Sequence, residues 1–120
     1  MVLDLTPAIE CLRQFARERE WEQFHTPKNL VMALAGEAGE LTELFQWLTP
    51  DQSLNIMQDA PKAEAVRDEL ADIFGYCLRL ADILGVDLEA AFTAKMAKNA
   101  LKYPVHLAKG SAAKYTELKP

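Results

Sequence analysis

The sequence predicts an all-α domain built as a four-helix bundle. Apolar residues recur at helical spacing in four segments, and no stretch alternates apolar and polar residues as a half-buried strand would. Helix start and stop signals also fall where those segments meet. The first segment runs from about Leu5 to Trp21 or Gln23, with Ile9, Leu12, Phe15 and Ala16 as its apolar stripe. Thr26-Pro27 then opens a second helix, Thr26 as N-cap and Pro27 at the first helical position. That helix continues to about Leu48. A polar loop from Thr49 to Pro61 leads to a third helix that ends near Leu84, where Gly85 closes it. Asp87 caps a fourth helix ending near Tyr103, just before Pro104. Residues 1–104 are expected to form the domain and residues 105–120 an extended tail.

At about 100° per residue, Leu30, Val31, Leu34, Ala38, Leu41, Phe45 and Leu48 share one side of the second helix. Val66, Leu70, Phe74, Cys77, Ala81 and Leu84 do the same on the third. Each set reads as a core face. Ile73, Leu80, Ile83, Leu101 and Trp47 lie outside these stripes, more apolar surface than one small bundle hides. A homo-oligomer is therefore expected.

The bulk numbers exclude several classes. The chain has 120 residues, half of them apolar, and a formal charge of −5. No run of Lys or Arg is dense enough to track a phosphate backbone, so binding to a nucleic-acid polymer is not expected. No apolar run approaches the roughly 20 residues of a membrane span. The first residues also lack the basic start and apolar run of a secretion signal. Cys11 and Cys77 read as buried free thiols, and a cytoplasmic location is expected.

The chemistry concentrates in two acidic pairs. Glu37 and Glu40 stand three apart on the second helix, on the shoulder of its apolar face between Ala33 and Leu44. Glu69 and Asp72 repeat the spacing on the third helix, with Tyr76 one turn beyond Asp72. Glu43, Asp68, Arg79 and Asp82 fall on polar far sides. Four carboxylates brought together repel one another unless cations neutralise them. Oxygen ligands without His or Cys favour Mg²⁺ or Mn²⁺ over zinc. Spacing alone leaves a solvated acidic face equally open. A di-iron bundle needs two Glu-x-x-His elements, and Glu22–His25 supplies one while His106, with Tyr103 three residues earlier, supplies none.

On the fourth helix, Lys95, Asn99 and Lys102 overlap the stripe of Leu88, Ala91 and Phe92. They suit an anionic partner, or they snorkel to water. Trp21, Trp47 and Tyr76 suit a slot that stacks a nucleobase, although a buried or interfacial Trp is the commoner role.

Taken in order, these residues carry a resemblance. The stretch Glu18 to Leu30 (ERE-WEQFHTPKNL), Glu37-Ala38-Gly39-Glu40-Leu41, Phe45-Gln46-Trp47, Glu69-Leu70-Ala71-Asp72, Lys95-Met96, Asn99 and Lys102 to Leu107 resemble the MazG-like nucleotide pyrophosphohydrolases. The similarity is strongest to the branch that acts on dCTP, and it extends into the tail from Lys109 to Tyr115. The resemblance implies an all-α fold, assembled as a tetramer that is a dimer of dimers. It also implies a magnesium site of Glu37, Glu40, Glu69 and Asp72, and cleavage of dCTP or modified dCTP to dCMP and diphosphate. By the same resemblance Trp21, Glu22, Gln23, Phe24, His25, Trp47 and Tyr76 would form the base and sugar pocket. Lys95, Asn99, Lys102 and Tyr103 would lie near the phosphates, and Glu37 or Glu40 would accept the proton of the attacking water. One position departs: nine residues before Trp21, where the family has a substrate-contacting His, stands Leu12. The same chemistry on dUTP or a damaged nucleotide is the nearer alternative. A non-catalytic nucleotide- or partner-binding helical module is the more distant one.

Overall fold

The computed structural model describes residues 3–119, and among them all regular structure is helical. In chain order the helices are α1 (Thr6–Glu18), α2 (Pro27–Phe45), α3 (Pro50–Leu54), α4 (Ala60–Leu84), α5 (Leu88–Lys102) and α6 (Val105–Ala108). Single 3₁₀ turns occur at Glu22–Phe24, Ile56–Gln58 and Tyr115–Glu117. The four segments read from periodicity are α1, α2, α4 and α5. The chain divides into two compact units, Met1–Val86 and Asp87–Pro120.

Local signals explain most boundaries. The Thr26 side chain accepts from the Asn29 amide, with Pro27 in the first turn, and Asp87 accepts from the Ala90 amide. Two helices end in the same way. At the end of α4 Gly85 takes the left-handed conformation (φ 69°), its amide donating to Asp82 O and that of Val86 to Ala81 O. At the end of α1 the left-handed residue is Glu20 (φ 53°), with the amides of Glu20 and Trp21 donating to Arg17 O and Ala16 O. This turn stops α1 at Glu18, earlier than the apolar pattern indicates, and throws Trp21 back toward the helix it has just left. The expected loop from Thr49 to Pro61 is more ordered than its composition indicates. Thr49 and Gln52 form a reciprocal capping box on α3, and Asp59 caps α4.

In the first unit α2 packs along α4, and α1 packs against α4. Two pairings fix the sense. Glu37 meets Glu69, while His25, before α2, meets Arg79, after Glu69. Position numbers rise on one side as they fall toward the other, so α2 and α4 are antiparallel. Ala16, Leu30, Ile56, Ala63, Val66, Leu78 and Ala81 form the buried core.

The packed faces are rotated from those read off hydrophobicity. On α2 the least exposed residues are Leu30, Ala33, Leu34, Glu37, Leu41, Leu44 and Phe45, whereas Val31 and Ala38 are exposed. That stripe is turned by about 50° and is centred on Glu37. On α4 Leu70, Phe74 and Leu84 are half exposed, and Glu69 and Ile73 take their place on the covered side. Two further expectations are corrected. Arg79, read as solvated, is buried at 5% exposure. Cys11 is exposed, although both cysteines are free as expected.

The second unit holds α5, α6 and the last 3₁₀ turn. The segment after α6 folds back on the end of α5: Tyr115 packs edge-on to Tyr103 (ring centroids 6.1 Å apart), and Lys102 Nζ lies 4.7 Å above the Tyr115 ring. No residue of α5 is buried.

Candidate active site

The pairing of α2 with α4 brings carboxylates from both helices together. One oxygen each of Glu37, Glu40 and Glu69 lie within 4.8 Å of one another. Asp72, one turn along α4 from Glu69, is close enough to raise the proton affinity of both Glu37 and Glu69. Glu40 is exposed, while Glu37 and Glu69 each turn one oxygen, Oε2, out of solvent with no donor to meet it. Ionised carboxylates brought this close have only acceptors to offer one another. They can be satisfied by a shared proton or by a cation.

Without a cation the proton is the answer. Its hydrogen bond to Glu69, with desolvation and the charges of Glu40 and Asp72, pushes Glu37 from its ordinary 4.5 up to about 7. For Glu69 the bond from Glu37 acts downward, but desolvation and the repulsion of Glu40 and Asp72 outweigh it and its pKa is raised. The same converging acceptors that bind a proton could hold a cation in its place. An all-oxygen donor set fits a hard divalent ion, Mg²⁺ or Mn²⁺.

This state has a measurable signature. Unfolded Glu37 releases its proton near 4.5, whereas the folded protein holds it until about 7. Over that window the folded state binds more protons, so its contribution to stability is complete below pH 4.5 and is lost as pH rises through 7. His25 works in the opposite sense. Burial and the charge of Arg79 lower its pKa below 6.5, so its contribution is present above 6.5 and lost on acidification. Comparison with Glu37→Gln separates the two. In chelator, the melting temperature of the wild type is expected to fall relative to that variant between pH 5 and 8. Mg²⁺ should restore the difference at pH 8 and do little at pH 5. A constant difference across the range in chelator would contradict the protonated cluster.

Beside the carboxylates opens a cavity of about 340 Å³, lined by Leu12, Phe15, Trp21, His25, Glu37, Ala71, Asp72, Gly75, Tyr76 and Arg79. This is the size of a small-ligand site. Its aromatic wall is built by the α1 turn. Phe15 and Trp21 pack edge-on (5.7 Å), His25 stands next to Trp21 (6.5 Å), and the Arg19 guanidinium covers Phe15 at 3.7 Å. Gln23 Nε2 donates to Glu20 O and Asn29 Nδ2 to Phe24 O, which fixes the backbone between α1 and α2. Asp72, Gly75, Tyr76 and Arg79 follow one side of α4, so the acidic end and Arg79 are separated by about 10 Å at 1.5 Å per residue.

Of the residues singled out from sequence, Glu37, Asp72, Trp21, His25 and Tyr76 line this cavity, and Glu40 and Glu69 complete the cluster at its edge. Glu22, Gln23 and Phe24 form the 3₁₀ turn that carries the chain from Trp21 to His25, and they are exposed rather than lining. Trp47 is 85% exposed and does not line it either. Lys95, Asn99 and Lys102 stand on α5, with Tyr103 at its end, in the second unit. Leu12, the departure noted above, lines the cavity. The pattern reading missed Phe15 as a wall and Arg79 as a floor. The signal for Phe15 was its i, i+6 relation to Trp21 across a turn, which periodicity does not score. Arg79 carried no signal beyond its position two turns from Asp72.

Known proteins can now be set beside this geometry. Residues 32–118 match the model of the MazG-like family. The chain is 49% identical over 117 residues to dCTP pyrophosphatase 1 of Bos taurus, covering 93% of this chain and 69% of that protein. It is 46% identical to dCTP pyrophosphatase 1 of Homo sapiens, covering 93% and 68%. Its fold matches the crystal structure of a pyrophosphatase from Archaeoglobus fulgidus with a TM-score of 0.79, at 33% identity over 87% of this chain and 95% of the other. On both the family match and the extent of these identities, the chain belongs to the MazG-like family.

Proposed function

We propose that this chain is a Mg²⁺-dependent nucleoside triphosphate pyrophosphohydrolase that converts dCTP, and modified dCTP, to dCMP and diphosphate. The observation that carries the reading is the carboxylate cluster with two donorless oxygens at the mouth of an aromatic-walled cavity. The substrate is argued from the identity with relatives named dCTP pyrophosphatase 1.

Glu37, Glu40, Glu69 and Asp72 would hold the ion, with Mn²⁺ as a substitute. When bound it supplies charge neutralisation for the phosphate oxygens and acidifies water. Glu37 or Glu40 takes the proton from the attacking water as the water oxygen bonds to phosphorus and the anhydride bond between the α and β phosphates breaks, giving dCMP and diphosphate. The apolar half of the cavity, Phe15, Trp21 and Tyr76, stacks the base and excludes water. Glu22, Gln23, Phe24 and Trp47, which do not line the cavity, are assigned to the nucleoside, and Lys95, Asn99, Lys102 and Tyr103 to the phosphates, on the family resemblance alone. We assign the protein to the cytoplasm as a homotetramer, a dimer of dimers. The exposed Leu70, Phe74, Phe92 and Leu101 support association, and no helix among the described residues is long and apolar enough to cross a membrane.

Pyrophosphate release from a panel of dNTPs, with Mg²⁺ and with chelator, tests this reading. dCTP is expected to give the highest kcat/KM, with no product in chelator. A panel led by dUTP or an oxidised nucleotide would move the substrate and keep the chemistry. No metal-dependent product from any triphosphate would leave a binding module instead.

A further inference from the structure

At the end of the cavity opposite the carboxylates lies a network that metal-assisted hydrolysis does not use. Arg79, almost fully buried on α4, donates from Nε to His25 Nδ1 (3.2 Å) and from Nη1 to Asp82 Oδ2 (3.4 Å). Asp82 in turn is gripped by Arg13 of α1, whose Nε donates to Oδ2 at 2.8 Å and whose Nη2 donates to Oδ1. These contacts determine the state of the imidazole. A guanidinium has donors and no acceptor. A nitrogen receiving its N–H must offer a lone pair, so His25 Nδ1 is unprotonated. The only proton of the ring then sits on Nε2, which has no partner among the described residues.

The charges agree. Burial, together with the Arg79 guanidinium against the ring, disfavours a further positive charge on His25, and Glu37 and Asp72, the carboxylates lining the same cavity, lie toward its other end. Trp21 stands edge-on to the ring, 6.5 Å between centroids. Both His25 and Arg79 line the cavity.

We propose that Arg79 is a positioning residue that locks His25 as the neutral Nε2–H tautomer, so that the cavity presents one hydrogen-bond donor to an acceptor on the base of the bound nucleotide. A pyrimidine offers such acceptors at its ring carbonyl and, in cytosine, at the unprotonated ring nitrogen. A freely rotating or protonated imidazole presents a different pattern, and the donor is then lost or misplaced. The ligand assignment rests on the nucleotide reading above, whereas the lock does not.

The test starts without substrate. The chain has two histidines, so ¹⁵N imidazole spectra with His106→Gln as the assignment control isolate His25. At pH 7 the wild type is expected to show the Nε2–H tautomer alone, and adding dCMP should shift that resonance. Arg79→Met is expected to give mixed tautomers and a raised His25 pKa, and Arg79→Lys, which keeps one donor, to restore the tautomer in part. In turnover of dCTP, Arg79→Met should raise KM roughly three- to tenfold, the worth of one hydrogen bond, with a smaller change in kcat. An Nδ1–H or doubly protonated ring in the wild type would overturn the lock, and this remains decisive if Arg79→Met does not fold. So would a folded Arg79→Met with an unchanged spectrum. An unshifted resonance with saturating dCMP would overturn the donor role. If no dNTP is hydrolysed, the function fails while the spectra still decide the lock.

Discussion

Replacing Glu37 by Gln should reduce metal-dependent pyrophosphate release by about a thousandfold or more, while the metal-free protein becomes at least as stable as the wild type above pH 7. The two halves of this result have one cause. Glu37 sits near the centre of the face that α2 presents to α4, and its Oε2, like that of neighbouring Glu69, is buried without a donor. A carboxamide of the same shape supplies the missing N–H, removes one charge and needs no proton near pH 7. The folded chain gains what the cation site loses. For turnover, a divalent ion contributes several kcal/mol to charge stabilisation at phosphorus, and each 1.36 kcal/mol is tenfold in rate. A ligand lost from the centre of the cluster therefore costs on the order of 10³ in kcat/KM. Initial rates over a Mg²⁺ titration, paired with melting curves in chelator, measure both. A variant that keeps full activity would remove Glu37 from the site, and one that loses activity together with stability would make its role structural.

The second large effect is on the scaffold. Leu30→Ala and Leu78→Ala should each cost roughly 2–5 kcal/mol, against a total of about 5–15 for an ordinary domain. Both side chains are about 1% exposed. Along their helices both fall between the Glu37–Glu69 pair and the His25–Arg79 hydrogen bond, so they are the packing that keeps the two ends of the cavity in register. Dense interiors relax only partly around a deleted isobutyl group. Urea denaturation at fixed protein concentration reads the loss as a lower midpoint with little change in slope. Saturating Mg²⁺ should recover part of it, because an ion that binds only the folded state adds stability by mass action. A loss below about 1 kcal/mol at both positions would show that the layer between the two ends collapses freely.

What could be read from sequence, and what could not, separates along physical lines. Helix existence was legible wherever a cap was written beside a long periodic run, as at Thr26-Pro27, Gly85 and Asp87. Thr49-Pro50 carries the same start signal as Thr26-Pro27, yet α3 spans only Pro50–Leu54, too short for a period to register. The carboxylates were legible as two pairs at helical spacing, but their depth was not. A wheel built on hydrophobicity assigns a glutamate to the shoulder by construction, whereas the geometry puts Glu37 in the middle of the packed stripe. Arg79 failed for the complementary reason. A single helix shows one polar side, and only the arrival of α1 with Arg13 and of the turn bearing His25 decides that this side is covered. The family resemblance carried the substrate and the ion, neither of which spacing could supply.

The rigid rod that carries Asp72 at one end of the pocket and Arg79 at the other works as a caliper. Its jaws are set by residue count, since each residue inserted between them would advance the far jaw by about 1.5 Å and swing it by about 100°, out of the pocket altogether. Length changes in this stretch are therefore barred, and evolutionary tinkering is left with gap width, through side chains such as Gly75, where an added Cβ would meet Leu12 at 3.8 Å. Insertions belong instead to the turns outside the jaws, after α2 and at Gly85. Homologous enzymes with different appetites should thus differ in girth along this rod and keep its span.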